Sequence, residues 1–254
     1  MTRQLDGQCA IITGSAGGIA VATAHAFAEA GARVVVSDID RSGVEKTADA
    51  LANRGAIVKA IVSDVTTRSD VTRLFAEAAD FLGGIDILVT CAGGYHAYAN
   101  FEDITEDDWD HVIALNLKSV FLCCQAVVPF MRKRGGGRII NLGSLAGRST
   151  SAGTSPAHYA SAKAAVSMLT QYIAKDLASY GITANTVAPS TTLTERVKKL
   201  LTPEKKELFT KATPLGRLAE PDDISGIITF LAGEPSRYIT GTTIDVNGGR
   251  LMLV

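Results

Sequence analysis

Short β-branched runs alternate with longer segments of helical period along this chain. CAIIT (9–13), ARVVVSD (32–38), AIVKAIVSD (56–64), IDILVTC (85–91), GRIINLG (137–143), ITANTVA (182–188) and TTIDV (242–246) are rich in Val and Ile, and several are apolar at every position. A strand with one wet face alternates apolar and polar residues, whereas a strand covered on both faces does not. These runs therefore predict strands with helices on each side. Helical periodicity near 18–30, 42–54, 67–82, 105–133, 157–180 and 221–232 supplies those helices. Strand and helix in turn predict an α/β fold: a single-domain, Rossmann-type, doubly wound parallel sheet of about seven strands flanked by helices.

The alternation lapses once, at 189–213, PSTTLTERVKKLLTPEKKELFTKAT. Leu193, Val197, Leu200 and Leu201 form an apolar stripe there, which predicts one or two short helices, either simply packing or covering a substrate. No linker, repeat or low-complexity tract divides the rest of 1–254.

Composition narrows the class. With 46% hydrophobic and 20% charged residues the chain is no disordered segment, and its net charge of -1 gives no reason to expect nucleic acid or an anionic membrane as partner. The N-terminus MTRQLDGQ has no apolar signal region and no apolar run is expected to span a membrane, so a cytoplasmic location is expected. Cys9, Cys91, Cys123 and Cys124 lie in apolar segments without metal-ligand spacing, which reads as buried reduced thiols and no metal site.

Chemistry enters at two places. The turn TGSAGGIA (13–20) follows the first strand and opens the first helix, where glycine lets the backbone approach a phosphate and the helix aims free N–H groups at it. Gly14, Ser15, Gly17, Gly18 and Ile19 are thus candidate dinucleotide contacts. The second strand ends at Asp38, whose carboxylate suits ribose hydroxyls and repels a 2'-phosphate, so NAD is expected over NADP. Asp64, followed by Val65, ends the third strand and is a candidate for the adenine amino group or for a helix cap. The second place is HYASAK (158–163): Tyr159 and Lys163 lie one helical turn apart on one face.

TGSAGGIA, CAGG, NLGS and YASAK, in that order, make the chain resemble the short-chain dehydrogenase/reductase family from end to end. The resemblance implies a catalytic set of Ser144, Tyr159 and Lys163 with Asn116 in support, and cofactor contacts at Ala92, Gly93, Pro189 and Thr194 as well as at the glycine turn. Ser149 and Ser151 are weaker alternatives for the serine. The chain departs from the family at Ala20, which should shift cofactor affinity slightly, and at Thr90 and Cys91, where two asparagines and their strand-bridging amides are absent. The implied assembly is a homotetramer with the helices at 105–133 and 157–180 pairing between subunits and the terminal RLMLV near a neighbour.

The implied reaction is hydride transfer between NAD(H) and a secondary alcohol or ketone, with Tyr159 as general acid and base. Tyrosine ordinarily titrates near pH ~10, and an ammonium at ~4.5 Å is worth roughly 3 to 4 kcal/mol at an effective dielectric of about 20. The lysine is therefore expected to soften the phenol, and alcohol oxidation to rise between about pH 6 and 9. NAD preference leans the substrate toward a sugar, polyol or small alcohol; a 3-oxoacyl-thioester reductase is the alternative, and a non-catalytic NAD-binding sensor or scaffold the alternative of another class. A serine hydrolase fails because Ser144 lies in GSLAG, not G-x-S-x-G. Pocket walls are expected from 93–98, from 148–158 and from the segment after Pro189, with His96 and His158 close enough to touch substrate.

Overall fold

A computed structural model describes residues 3–150 and 155–252. Its strands are β1 (Cys9–Thr13), β2 (Arg33–Asp38), β3 (Val58–Val62), β4 (Ile87–Thr90), β5 (Gly137–Leu142), β6 (Ile182–Pro189) and β7 (Thr243–Val246). They form one parallel sheet in the order β3-β2-β1-β4-β5-β6-β7. The order reverses between β1 and β4, the crevice where open α/β sheets bind ligands beyond the carboxyl ends of their strands.

The helices are α1 (Gly18–Glu29), α2 (Arg41–Ala52), α3 (Arg68–Leu82), α4 (Glu106–Ile113), α5 (Ser119–Arg134), α6 (Ala157–Leu177), α7 (Glu195–Leu200), α8 (Pro203–Lys211) and α9 (Pro221–Ala232). Period two along the strands splits the interior into two cores. Ile11, Val35, Leu88 and Ile139 meet Phe75 of α3, Val127 of α5 and Val166 of α6 in one. Ile12, Val34, Val89 and Ile140 meet Phe27 of α1, Leu51 of α2 and Ile228 of α9 in the other. Two roofed faces explain why the strand runs carry no polar alternation.

Near their carboxyl ends the strands turn polar. Ser37, Thr13, Thr90, Asn141, Thr186 and Thr243 stand in register across the sheet. Thr90 Oγ1 donates to Asn141 Oδ1 at 2.8 Å, and Asn141 Nδ2 and Thr186 Oγ1 both donate to Thr170 Oγ1 of α6 at 2.9 Å. The bridge expected to vanish with the family's asparagines is therefore present, carried by Thr90 to the asparagine of the next strand. Ala20, 2% exposed, packs into the second core with its extra methyl accommodated.

The helix expected at 105–133 is not regular. A π-turn, Ala114–Lys118, separates α4 from α5. The combined run Glu106–Arg134 is long and apolar enough by length and composition to cross a bilayer, contrary to the sequence expectation. Here it lies along the sheet, with Val120, Cys123, Val127 and Met131 of α5 in the first core. The insertion forms α7 and α8, anchored by buried Phe209 beneath the Arg250 guanidinium, 4.7 Å from the ring centroid. Leu193, Val197 and Leu201 are only half-buried and Leu200 is 64% exposed, so the stripe is not core packing.

Candidate active site

Tyr159 and Lys163 occupy the first two turns of α6, and the helical pitch that sequence spacing implied does place them together. Lys163 is buried; its Nζ donates to the Leu142 carbonyl at 2.7 Å and lies 5.9 Å from the centroid of the Tyr159 ring. Ser144, just beyond β5, is hydrogen-bonded to the Tyr159 phenol, and its Oγ accepts the Ala146 N–H at 3.1 Å. Tyr95 packs its ring on Tyr159 at 4.9 Å between centroids. Ser144 is the serine that acts on the phenol among the described residues, and Ser151 lies outside them.

The turn Leu145–Gly147 that carries Ser144 presses directly on the backbone of α6. A Cβ on Gly147 would sit 2.5 Å from Ala164 N and 2.6 Å from the Lys163 carbonyl carbon. Gly147→Ala is therefore expected to lift the turn off the helix, cutting turnover about 10- to 100-fold and stability by about 1 to 3 kcal/mol. Steady-state kinetics beside a denaturant melt check both numbers.

The electrostatics differ from the sequence expectation. Burial is the largest influence on the phenol and pushes it above its ordinary value; the hydrogen bond with Ser144 and the positive charge of Arg196 pull the other way, and Tyr95 adds to the rise. Lys163 is not among these influences. Burial acts on the lysine too, bringing its ammonium down to about 8, with its Nζ turned to the Leu142 carbonyl. Contrary to the softening expected from spacing, the phenol is raised and the ammonium lowered, because desolvation disfavours both charged forms together. The cysteines behave as expected: all four are free, and burial lifts the Cys91 and Cys124 thiols to about 12.

Asn116 sits in the π-turn and is fully buried. Its Nδ2 donates to the carbonyls of Gly94 and Val112 and its Oδ1 accepts the Gly94 N–H, all at 2.8 Å. The side chain, expected in support of the catalytic set, clamps the loop after β4 to α4. Gly93 lies under that clamp, where a Cβ would come 2.8 Å from Asn116 Oδ1 and 3.2 Å from Lys163 Nζ.

At the opposite side of the crevice the turn after β1 is held open. Gly14 adopts φ +75° and a Cβ there would strike Ala92 N at 2.6 Å; Gly18 adopts φ +62°. Ser15 serves this turn from within: its buried hydroxyl donates to the Ile12 carbonyl at 2.8 Å, its N–H donates to the Ser37 carbonyl at 3.0 Å, and its carbonyl accepts the Thr47 hydroxyl at 2.8 Å. It therefore shapes the turn from beneath, which corrects the ligand contact expected of it from sequence. The first turn of α1 has no side-chain cap and no acidic residue, and a Cβ on Gly17 would meet nothing within 4 Å. Uncapped N–H groups above open space fit the pyrophosphate of a dinucleotide.

Asp38 accepts the Ala16 N–H at 2.9 Å and the Asp40 N–H at 3.0 Å, leaving lone pairs on both oxygens beside the turn. Ile39 next to it is 68% exposed, an apolar surface for a nucleobase that sequence reading passed over. Asp64 holds the turn ahead of α3 and is not its cap: its Oδ1 accepts from the Thr66 N–H at 2.9 Å and the Thr66 hydroxyl at 2.7 Å, while Thr67 stands at the N-cap. The Val65 side chain is in the first core. Pro189 ends β6, and Thr194 caps α7 by accepting the Val197 N–H at 3.2 Å, with its methyl 3.0 Å from where a Gly18 Cβ would be.

The two histidines divide. His158 is fully buried and its Nε2 pairs with Asp108 Oδ2 of α4 at 2.8 Å, so it ties α6 to α4 and is not a pocket residue. His96 is exposed and stacks on His111 at 5.1 Å.

Residues 14–250 match the family described as enoyl-(acyl carrier protein) reductase. A (2S)-[(R)-hydroxy(phenyl)methyl]succinyl-CoA dehydrogenase subunit of Thauera aromatica is 41% identical over 97% of each chain. A 3-oxoacyl-[acyl-carrier-protein] reductase of Vibrio cholerae is 37% identical over 98% of this chain and 99% of its own. The chain belongs to the short-chain dehydrogenase/reductase family. Among solved structures, a 7α-hydroxysteroid dehydrogenase complexed with NADH and 7-oxo glycochenodeoxycholic acid superposes with a TM-score of 0.93 at 37% identity, over 98% of this chain and 96% of that one. A short-chain dehydrogenase/reductase is a nicotinamide-dependent oxidoreductase of CH–OH and keto groups, which sets aside the sensor or scaffold reading.

Proposed function

We propose that this enzyme interconverts a secondary alcohol and its ketone with NAD(H), Tyr159 exchanging the proton. The observation that carries this reading is the hydrogen bond between Ser144 and the Tyr159 phenol, with Lys163 one turn away. Ser144 holds the substrate oxygen and donates to it as charge develops, while Tyr159 takes the hydroxyl proton in oxidation and returns it in reduction. Lys163 donates toward the cofactor's ribose, and Asn116 positions the Gly93 loop against it. The nicotinamide, when bound, supplies the hydride acceptor or donor.

The residues that would hold it are the backbone of Gly14, Gly17, Gly18 and Ile19 for the pyrophosphate, with Ser15 shaping that turn from beneath, Asp38 for the adenosine ribose, and Asp64, Val65 and Ile39 around the adenine. Ala92, Gly93, Pro189 and Thr194 would line the nicotinamide end, with α7 and α8 as the cover. The remaining lone pairs of Asp38 favour NAD. Asp38→Ala is expected to shrink the NAD-over-NADP ratio of kcat/KM by about 10- to 100-fold, since it removes both the ribose acceptor and the charge facing a 2'-phosphate. An unchanged ratio would remove Asp38 from the cofactor site.

The test of the reaction is NADH absorbance across sugars, polyols, hydroxy acids, alcohols and the matching ketones. A sugar, polyol or small alcohol remains the reading from NAD preference, and the similarity to an acyl-carrier-protein reductase supports a 3-oxoacyl thioester as the second. Phe121 on α5 and Met168 and Tyr172 on α6 are 41%, 55% and 60% exposed, apolar faces that support pairing of these helices in a homotetramer. Met252 is 73% exposed, and the last two residues of RLMLV lie outside the described residues. Free buried thiols suit the reducing cytoplasm.

A further inference from the structure

Arg196, in the first turn of α7, reaches out of the covering insertion toward the loop after β4. Its guanidinium donates to the Tyr95 carbonyl, and its Nη1 lies 2.7 Å from where a Gly94 Cβ would be. Tyr95 in turn packs its ring at a tilt against the Tyr159 ring, so the guanidinium stands at the same mouth as Tyr159. Its charge is felt there, being one of the two influences that lower the Tyr159 value.

Among the described residues no carboxylate pairs with Arg196. The neighbouring Glu195 is engaged by Lys198 at 3.1 Å. Lys198 and Lys199 follow on the same helix, so α7 presents net positive charge. A guanidinium has five donors in a planar fork suited to a carboxylate, and the Tyr95 carbonyl occupies only part of it. A neutral polyol needs no such group.

We propose that Arg196 selects substrates whose reacting CH–OH or keto carbon carries an anionic group, a carboxylate above all, on a short linker. This rests on the oxidoreductase reading and narrows its substrate class to hydroxy and oxo acids. The fork holds the carboxylate while Ser144 and Tyr159 hold the reacting oxygen, so each substrate is fixed at two points. Glycine at position 94 leaves the guanidinium its place, since a side chain there would enter it.

The test compares acetoacetate and levulinate with their methyl esters on the wild type, Arg196→Gln and Arg196→Lys, each in complex with NADH. Wild type is expected to prefer an acid over its ester. Arg196→Gln is expected to lower that acid-to-ester ratio of kcat/KM about 30-fold or more, with Arg196→Lys recovering part of it. A proportional loss on acid and ester, leaving the ratio fixed, would make Arg196 a latch for the cover and overturn the proposal. Equilibrium binding of acid and ester to the NADH complex, read by NADH fluorescence, separates the two readings. Arg196-dependent binding of the acid without any turnover would keep the anion site and reject the oxidoreductase assignment. Turnover of esters and neutral ketones with no Arg196-dependent acid binding would do the reverse.

Discussion

Tyr159→Phe is expected to lower turnover by about 10² to 10⁴-fold while NADH still binds. The substitution keeps the ring against Tyr95 and removes only the oxygen that Ser144 touches. No neighbouring group takes over: Lys163 is turned to the Leu142 carbonyl, and His158 is buried against Asp108. Because burial holds the phenol above its ordinary value, wild-type alcohol oxidation should keep rising across about pH 7 to 10 instead of levelling by pH 9. Near-normal turnover in a folded, NADH-binding Phe variant would sink the assignment, and a plateau below pH 9 with chemistry limiting would show the phenol softened after all.

The second large effect combines rate and stability in one residue. Lys163→Met should reduce turnover by about 10²-fold or more, through loss of the donor beside the phenol. Its stability effect depends on pH in a stated direction. The folded chain holds the Lys163 ammonium at about 8, against an ordinary 10.5. Below pH 8 the folded and unfolded chains both carry the proton, and the full cost of the buried charge is present. Between about 8 and 10.5 the unfolded chain binds more protons, so wild-type stability rises with pH. Methionine has no such titration. Relative to wild type, the variant should therefore lose on the order of 3 kcal/mol between pH 7 and pH 10.5, on top of a constant offset from the missing Leu142 bond. Urea unfolding of both proteins at the two pH values measures it, and a pH-independent difference would refute a buried, depressed lysine.

The fold was legible because its signals are local. β-branched runs, helical period and a glycine turn between the first strand and first helix suffice to order a parallel sheet. Tyr159 and Lys163 were legible by helical pitch, and Ser144 by resemblance. What escaped depends on contacts between distant segments. Spacing placed Lys163 near the phenol but could not reveal that both are stripped of water, which reverses the direction of the phenol's shift. In the insertion the leucine stripe drew attention to packing, whereas Arg196, two residues after the threonine singled out by resemblance, is the side chain that crosses to Tyr95. His158 looked like a loop residue and is a buried tie, since its carboxylate partner is fifty positions earlier in the chain.

The wide turn at Ala114–Lys118 carries a further consequence. Val112, Asn116 and Val120 are buried at steps of four, more than an α-helix advances per turn, and the extra residue in the turn keeps them in line. Removing one residue there would give a more regular helix and rotate everything upstream by about 100°. Asp108 would swing away from His158, and the clamp on Gly94 would open at the same stroke. This stretch should thus accept many changes of spelling but none of length, like a line of verse whose metre is fixed by a single unstressed syllable.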